Sequence, residues 1–171
     1  HFTRSGPPLH AYLPPSPTMD ILPAHAPPLL PIVRTLFQEY AASLPFSLCF
    51  QGFQAELASL PGRYAPPAGR IFLAQDRHDA AGCIALRPLE PGICEMKRLF
   101  VRPAHRSRGL GRLLASRLIA EARQIGYRAM RLDTSEDMLA ARSLYESLGF
   151  LPIDRYNDDP LEDTIFMELQ L

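Results

Sequence analysis

Lys97 is the only lysine in the chain, so nearly all positive charge rides on arginine, whose guanidinium stays protonated at any working pH and suits planar anions. Neither sign of charge is in excess. Eighteen basic residues face 18 acidic ones, which removes the electrostatic case for nucleic acid or a membrane surface and leaves charge-based chemistry to local clusters. Cysteine is scarce: Cys49, Cys83 and Cys94 are odd in number and lack CxxC spacing, which argues against a disulfide framework and a zinc site. A reducing, cytoplasmic setting and no metal are therefore expected. No apolar run approaches the roughly 18 to 20 residues of a membrane span, and no basic stretch followed by an apolar core opens the chain.

What is present fits one globular domain, since 171 residues with 47% hydrophobic content can enclose a core. The proline-rich, aperiodic residues 1–18 read as a flexible leader or extension, and 19–171 as the single domain. "MDILPA" reads as a short strand. Leu29, Ile32, Val33, Leu36, Phe37 and Tyr40 recur at helical spacing, with Pro31 tolerable in a first turn, and "FQAELASL" reads as a shorter helix ended by Pro61 and Gly62. "GRIFLAQD" and "AAGCIALRPL" form a hairpin across "DRHDA", and "GICEMKRLFV" is a strand stopped by Pro103. Leu110, Leu113, Leu114, Leu118, Ile119, Ala122 and Ile125 then line a helix face that Gly126 ends. "YRAMRLD" follows as a strand, "EDMLAARSLYESLGF" as a helix with Asp137 near its start, and "TIFMELQL" as a closing strand.

The stretch "RSRGLG", Arg106 to Gly111, falls between a strand and a helix. Main-chain N–H groups at a helix start have no intrahelical partner, and the helix dipole adds positive potential there, so anions bind such places. Gly109 and Gly111 let an oxygen-rich group approach the backbone, and Arg106, Arg108 and Arg112 supply charge-assisted bonds. A pyrophosphate suits this better than one carboxylate. A Walker loop is excluded because no lysine follows the glycines, and only Asp133 hints at a dinucleotide fingerprint.

The pattern Arg106-x-x-Gly109-x-Gly111 after a strand ending "LFV" resembles the coenzyme A signature of the GNAT superfamily of N-acetyltransferases. "ARSLYESLGF" resembles that family's second block, a tyrosine on a helix four residues before Gly-Phe. The resemblance covers roughly Gly92 to Phe150 and implies a mixed α/β fold, with a mostly antiparallel central sheet, a splayed parallel pair of strands in its middle and about four flanking helices. It further implies acetyl-coenzyme A as cosubstrate, with Leu99, Phe100 and Val101 along the pantetheine. Arg106, Ser107, Arg108, Gly109, Leu110, Gly111 and Arg112 would lie around the pyrophosphate, and Met138, Ala141 and Tyr145 on the following helix. Met138 departs from the asparagine common in the family at that position.

Acetyl transfer to an amine needs a neutral amine, a stabilised oxyanion and a protonated leaving sulfur. Tyr145, with a reference pKa near ~10, can protonate a thiolate whose conjugate acid titrates near ~8.5, and a main-chain N–H near Leu99 can hold the oxyanion. Glu95 is the candidate base, four residues before Leu99 and on its face of the strand unless a bulge intervenes; Asp133 is the rival. Direct transfer in a ternary complex is expected, because no cysteine has an identifiable activating partner. Against these readings, Tyr145 could be core packing, Glu95 could pair with Lys97 or Arg98, and Arg98 and Arg102 could be solvated surface. Phe46, Phe50 and Phe53 suggest an apolar acceptor wall or simply core, and "DRYNDDP" a loop reaching the acceptor. The expected partner is an amine acceptor of unspecified identity, with no nucleic acid or membrane and a homodimer left open. The alternative to an enzyme is a non-catalytic coenzyme A binding module.

Overall fold

The structure is a computed structural model and describes residues 19–171. The leader expected over 1–18 lies outside the described residues. Seven strands, β1 (Met19–Pro23), β2 (Arg70–Asp76), β3 (Asp79–Glu90), β4 (Ile93–Val101), β5 (Ala129–Ser135), β6 (Leu151–Ile153) and β7 (Thr164–Gln170), form one sheet in the order β1-β2-β3-β4-β5-β7-β6. Neighbours are antiparallel except β4 and β5. Four α-helices join them: α1 (Leu30–Ser43), α2 (Phe53–Ala58), α3 (Leu110–Ile125) and α4 (Leu139–Ser147).

The helices cover their apolar stripes against the sheet, except that Leu113 of α3, expected on the buried face, is 46% exposed because the buried stripe runs through its neighbours Leu110, Leu114 and Leu118. Leu114, Ala115, Leu118, Ile119 and Ala122 of α3 pack with Tyr145 of α4, Met96 of β4 and Met130 of β5 on one face of the sheet. Val33, Leu36 and Phe37 of α1 pack with Phe53 and Leu57 of α2 and Ile71, Leu73 and Phe100 on the other. At roughly 1.5 to 3 kcal/mol for each large apolar side chain fully buried, these two layers are the main force holding helices to sheet. The connection from β4 through α3 to β5 makes those two strands parallel, as a crossover of this length requires.

Two features of β4 set up the site. It pairs with β5 only at Ile93–Ala129, Cys94–Met130 and Glu95–Arg131, after which no pairs join the two strands and they separate. Against β3, the register moves two residues from Cys83 to Ala85 but three from Phe100 to Lys97, a β-bulge at which Arg98 takes a positive φ of 62°. The extra residue reverses the inside–outside alternation. Cys94 and Met96 face α3, and after the bulge Leu99 and Val101 do so, whereas Phe100 faces α1. Gly82 of β3 lies opposite: a Cβ there would sit 2.5 Å from the Phe100 carbonyl oxygen, so only glycine lets the strands approach this closely.

Some boundaries differ from those expected. β5 starts two residues later than the sequence suggests and continues to Ser135, placing Asp133 inside the strand. α4 starts at Leu139 with Met138 at its cap, so Asp137 precedes the helix and is not part of its first turn.

Candidate active site

The gap between β4 and β5 holds a cavity of about 310 Å³. Its walls include Leu99, Phe100 and Val101 of β4, Leu132 to Ser135 of β5, and Met138, Ala141, Leu144 and Tyr145 at one-turn spacing on α4. Arg106 and Gly111 border it at the loop leading into α3, and Tyr40, Phe46, Leu48 and Gln51 close it on the α1 side.

The loop before α3 presents main-chain donors. The first bond of that helix is donated by the Leu113 N–H to the Gly109 carbonyl at 3.1 Å, and the N–H groups of Ser107 through Arg112 find no main-chain acceptor among the described residues. Gly109 caps the helix at φ 73°, with no side-chain cap and nothing within 4 Å of a hypothetical Cβ. The glycine is therefore required by backbone conformation, which costs other residues roughly 1–2 kcal/mol. Gly111 differs: its Cβ would make ordinary contact with Leu144 at 3.5 Å. The arginines also shape the loop. Arg106 Nε donates to the Val101 carbonyl at 3.1 Å, Arg108 Nη1 to Asp76 Oδ2 at 3.0 Å, and Arg112 Nη2 to the Ser147 hydroxyl. Leu110 turns its side chain into the core and leaves only its backbone to the loop.

Tyr145 combines packing with access. Its ring meets Phe150 edge-on at 5.8 Å between centroids, while the residue lines the cavity. Burial, then the charges of Tyr40 and Asp133, push its phenol above the ordinary tyrosine range, so it holds its proton through and beyond neutral pH.

Glu95 lies elsewhere. The bulge separates it from the face of Leu99, and its side chain, 1% exposed, lines neither this cavity nor a smaller one beside it that Arg87, Lys97, Asp133 and Asn157 border. One carboxylate oxygen accepts from Arg87 Nε at 2.8 Å and the other from the Tyr156 hydroxyl at 2.7 Å. Burial raises its pKa, but the charges of Lys97 and Arg87 and the Tyr156 bond outweigh burial and hold it below the ordinary carboxylate value. The partner is thus Arg87, and neither Lys97 nor Arg98 is within salt-bridge distance.

Asp133 is in both cavities. Oδ2 accepts from Asn157 Nδ2 at 3.2 Å and Oδ1 lies 3.8 Å from Lys97 Nζ. Lys97 is 6% exposed and donates to Gln51 Oε1 at 3.2 Å; burial pulls its pKa below the ordinary lysine value, with Asp133 and Glu95 opposing. Arg98 is not solvated surface. Only 3% exposed, it donates from Nε and Nη2 to Glu56 of α2 at 2.9 and 3.0 Å and from Nη1 to Gln51, and so ties the bulge to the α2 layer. Arg102 likewise holds Glu39 of α1 at 2.7 Å. Of the phenylalanines, Phe46 lines the cavity and Phe53 is core beneath the Arg98 guanidinium; the Phe50 side chain lies outside the description. The "DRYNDDP" loop does arrive here, through Tyr156, Asn157, Asp158 and Asp159.

Sequence spacing missed Arg87, Gln51 and Tyr156 because their partners are 8, 46 and 61 residues away. Among the described residues no group of three or more His, Cys, Asp or Glu side chains is placed to hold a metal.

The sequence model of the Acetyltransferase (GNAT) family matches residues 33–150. The chain belongs to the GNAT acetyltransferase family. A Schizosaccharomyces pombe N-acetyltransferase is 40% identical over 140 residues, covering 81% of this chain and 86% of the relative. An acetyltransferase structure from Streptococcus agalactiae is 25% identical, covers 90% of this GNAT chain and 98% of its own, and superposes with a TM-score of 0.71. A Salmonella typhimurium protein solved with acetyl-CoA shares the fold at a TM-score of 0.67 and 21% identity, covering 89% of this chain and 93% of its own.

Proposed function

We propose that this GNAT protein transfers an acetyl group from acetyl-CoA to a primary amine by direct attack within a ternary complex. The observation that carries the reading is the run of unpartnered main-chain N–H groups from Ser107 to Arg112 at the rim of a cavity that Tyr145 lines. That run, with a glycine-bent entry and arginines at 106, 108 and 112, fits a diphosphate. Leu99 and Val101, on the β4 stretch that has left β5, border the path for the pantetheine arm, with Met138 and Ala141 opposite. Bound acetyl-CoA supplies an activated carbonyl and a thiolate leaving group.

Tyr145 is the acid. Its phenol still carries its proton at neutral pH, so that proton is available to the departing sulfur. Asp133 is the base in this reading: among the described residues its Oδ1 has no hydrogen-bond donor within range, which favours it over Glu95, both of whose oxygens accept hydrogen bonds. Direct transfer is supported by the cysteines: burial pushes the Cys94 thiol up to about 12 and raises Cys83 further, and neither Cys49, Cys83 nor Cys94 lines the cavity.

Thiol release from acetyl-CoA with pooled amines, read with product masses, tests the reaction. Turnover that Tyr145→Phe reduces by about 10²-fold or more, with coenzyme A affinity retained, is the expected result. Tight coenzyme A binding without turnover of any amine would make the protein a binding module, and absence of coenzyme A binding would remove the reading altogether.

A further inference from the structure

A second cavity of about 200 Å³ adjoins the first and shares Gln51, Lys97, Asp133 and Asp159 with it. Arg87, Asn157 and Asp158 complete its walls. Its charges follow strand order. Arg87 on β3 and Lys97 on β4 make one side cationic, and Asp133 on β5 with the loop between β6 and β7 makes the other anionic. A site for a simple cationic amine has no use for the first side.

The bonds already made show what remains for a ligand. Arg87 commits Nε and Nη2 to Glu95, leaving Nη1. Lys97 has three N–H donors and, among the described residues, one partner within hydrogen-bonding reach, Gln51, while its side chain is 5% exposed. Both Asp159 oxygens accept from its own loop, from the Leu161 N–H and the Thr164 hydroxyl, whereas Asp133 Oδ1 accepts from no donor among the described residues. Asp133 Oδ1 already stands at ion-pair distance from Lys97, 3.8 Å, but too far for a hydrogen bond, and buried N–H donors left without an acceptor are costly. An anion there would also offset the desolvation that lowers the Lys97 pKa.

Resting on the transferase reading above, we infer that the acceptor is a free amino acid, or an amine carrying a carboxylate one carbon away. Its ammonium faces Asp133 Oδ1 and its carboxylate faces Lys97 Nζ and Arg87 Nη1. The 3.8 Å between Lys97 Nζ and Asp133 Oδ1 suits this, because an amine and a carboxylate joined through one carbon can engage both at once. Inserted there, the zwitterion alternates charges across the cavity. A protein N-terminus, whose neighbouring carboxyl is an amide, leaves the cationic side unmatched.

Matched acceptors decide it. Each free amino acid is assayed beside its carboxamide, its decarboxylated amine and a dipeptide beginning with it. Loss of a charge-assisted bond predicts kcat/KM at least about tenfold lower for all three analogues. Lys97→Met should shrink that preference to about threefold or less, with coenzyme A affinity unchanged by calorimetry. Equal use of the analogues by the unaltered protein, or full preference persisting in a folded Lys97→Met protein, overturns the inference and leaves the transferase reading standing. If no amine turns over, the catalytic reading falls, and calorimetry of each pair against the coenzyme A-loaded protein decides the acceptor class separately. Heat from the amino acid and none from its carboxamide sustains the inference; equal or absent heats overturn it.

Discussion

Glu95 shows how one buried side chain can join a strand to a distant loop. It is ionised and buried, gripped by Arg87 from β3 and by Tyr156 from the loop after β6, and so fixes that loop beside the smaller cavity. Glu95→Gln weakens a buried ion pair, for which breaking one partner costs roughly 3–5 kcal/mol. Urea denaturation should show a loss of that order, and acceptor KM should rise more than kcat falls. Because the folded pKa of Glu95 lies below its unfolded value, the stability it contributes is present above about pH 4.3 and is lost as pH falls through the folded pKa. An acid titration of stability should therefore be shallower in Glu95→Gln than in the parent. Tyr145→Phe keeps the ring packed on Phe150, so its unfolding midpoint should stay close to the parent's while turnover drops.

At the scale of elements, the loop from Ser107 to Arg112 and the bulge in β4 carry the site, and each depends on a main-chain conformation that ordinary strands and helices do not provide. Gly109→Ala meets no atom but forces an alanine to φ 73°, so it should cost about 1–2 kcal/mol in chemical denaturation. Gly109→Asn, which tolerates the left-handed region, should recover much of that loss. If the loop binds a diphosphate, both variants keep its N–H groups, and coenzyme A affinity measured by calorimetry should track backbone strain, not side-chain size. The bulge is held from outside the sheet by the Arg98 bonds to Glu56 and Gln51. Arg98→Met leaves Glu56 with the Tyr64 hydroxyl but without its cationic partner, and hydrogen exchange at Leu99 to Val101 should accelerate while β1 and β2 retain protection.

For the whole molecule, alkaline pH is a test of how the buried phenols are distributed. Tyr40 and Tyr64 on the α1–α2 side, Tyr145 in the cavity and Tyr156 on Glu95 are all raised, chiefly by burial. Above about pH 10 the unfolded chain loses phenolic protons that the folded chain retains, so folded stability should fall with rising pH there, as denaturation midpoints between pH 8 and 11 would show. The element order and the "RSRGLG" loop were legible in the sequence because they rest on local rules: apolar periodicity, Pro103 ending a strand, Gly126 ending a helix, and glycines where backbone must be bare. The alternation of β4 was not, because its bulge is imposed by Arg98 reaching α2, 42 residues earlier, and by the bare Gly82 opposite. Glu95, in strict alternation with Leu99, thereby moved to the other face and away from the cavity between β4 and β5. Local sequence determined which residues form strands, helices and the glycine-bent turn before α3, since those choices are made by neighbours along the chain; the three-dimensional packing alone decided which carboxylate, among the described residues, keeps an oxygen without a hydrogen-bond donor, because that depends on partners contributed from β3, from β4 and from the loop after β6.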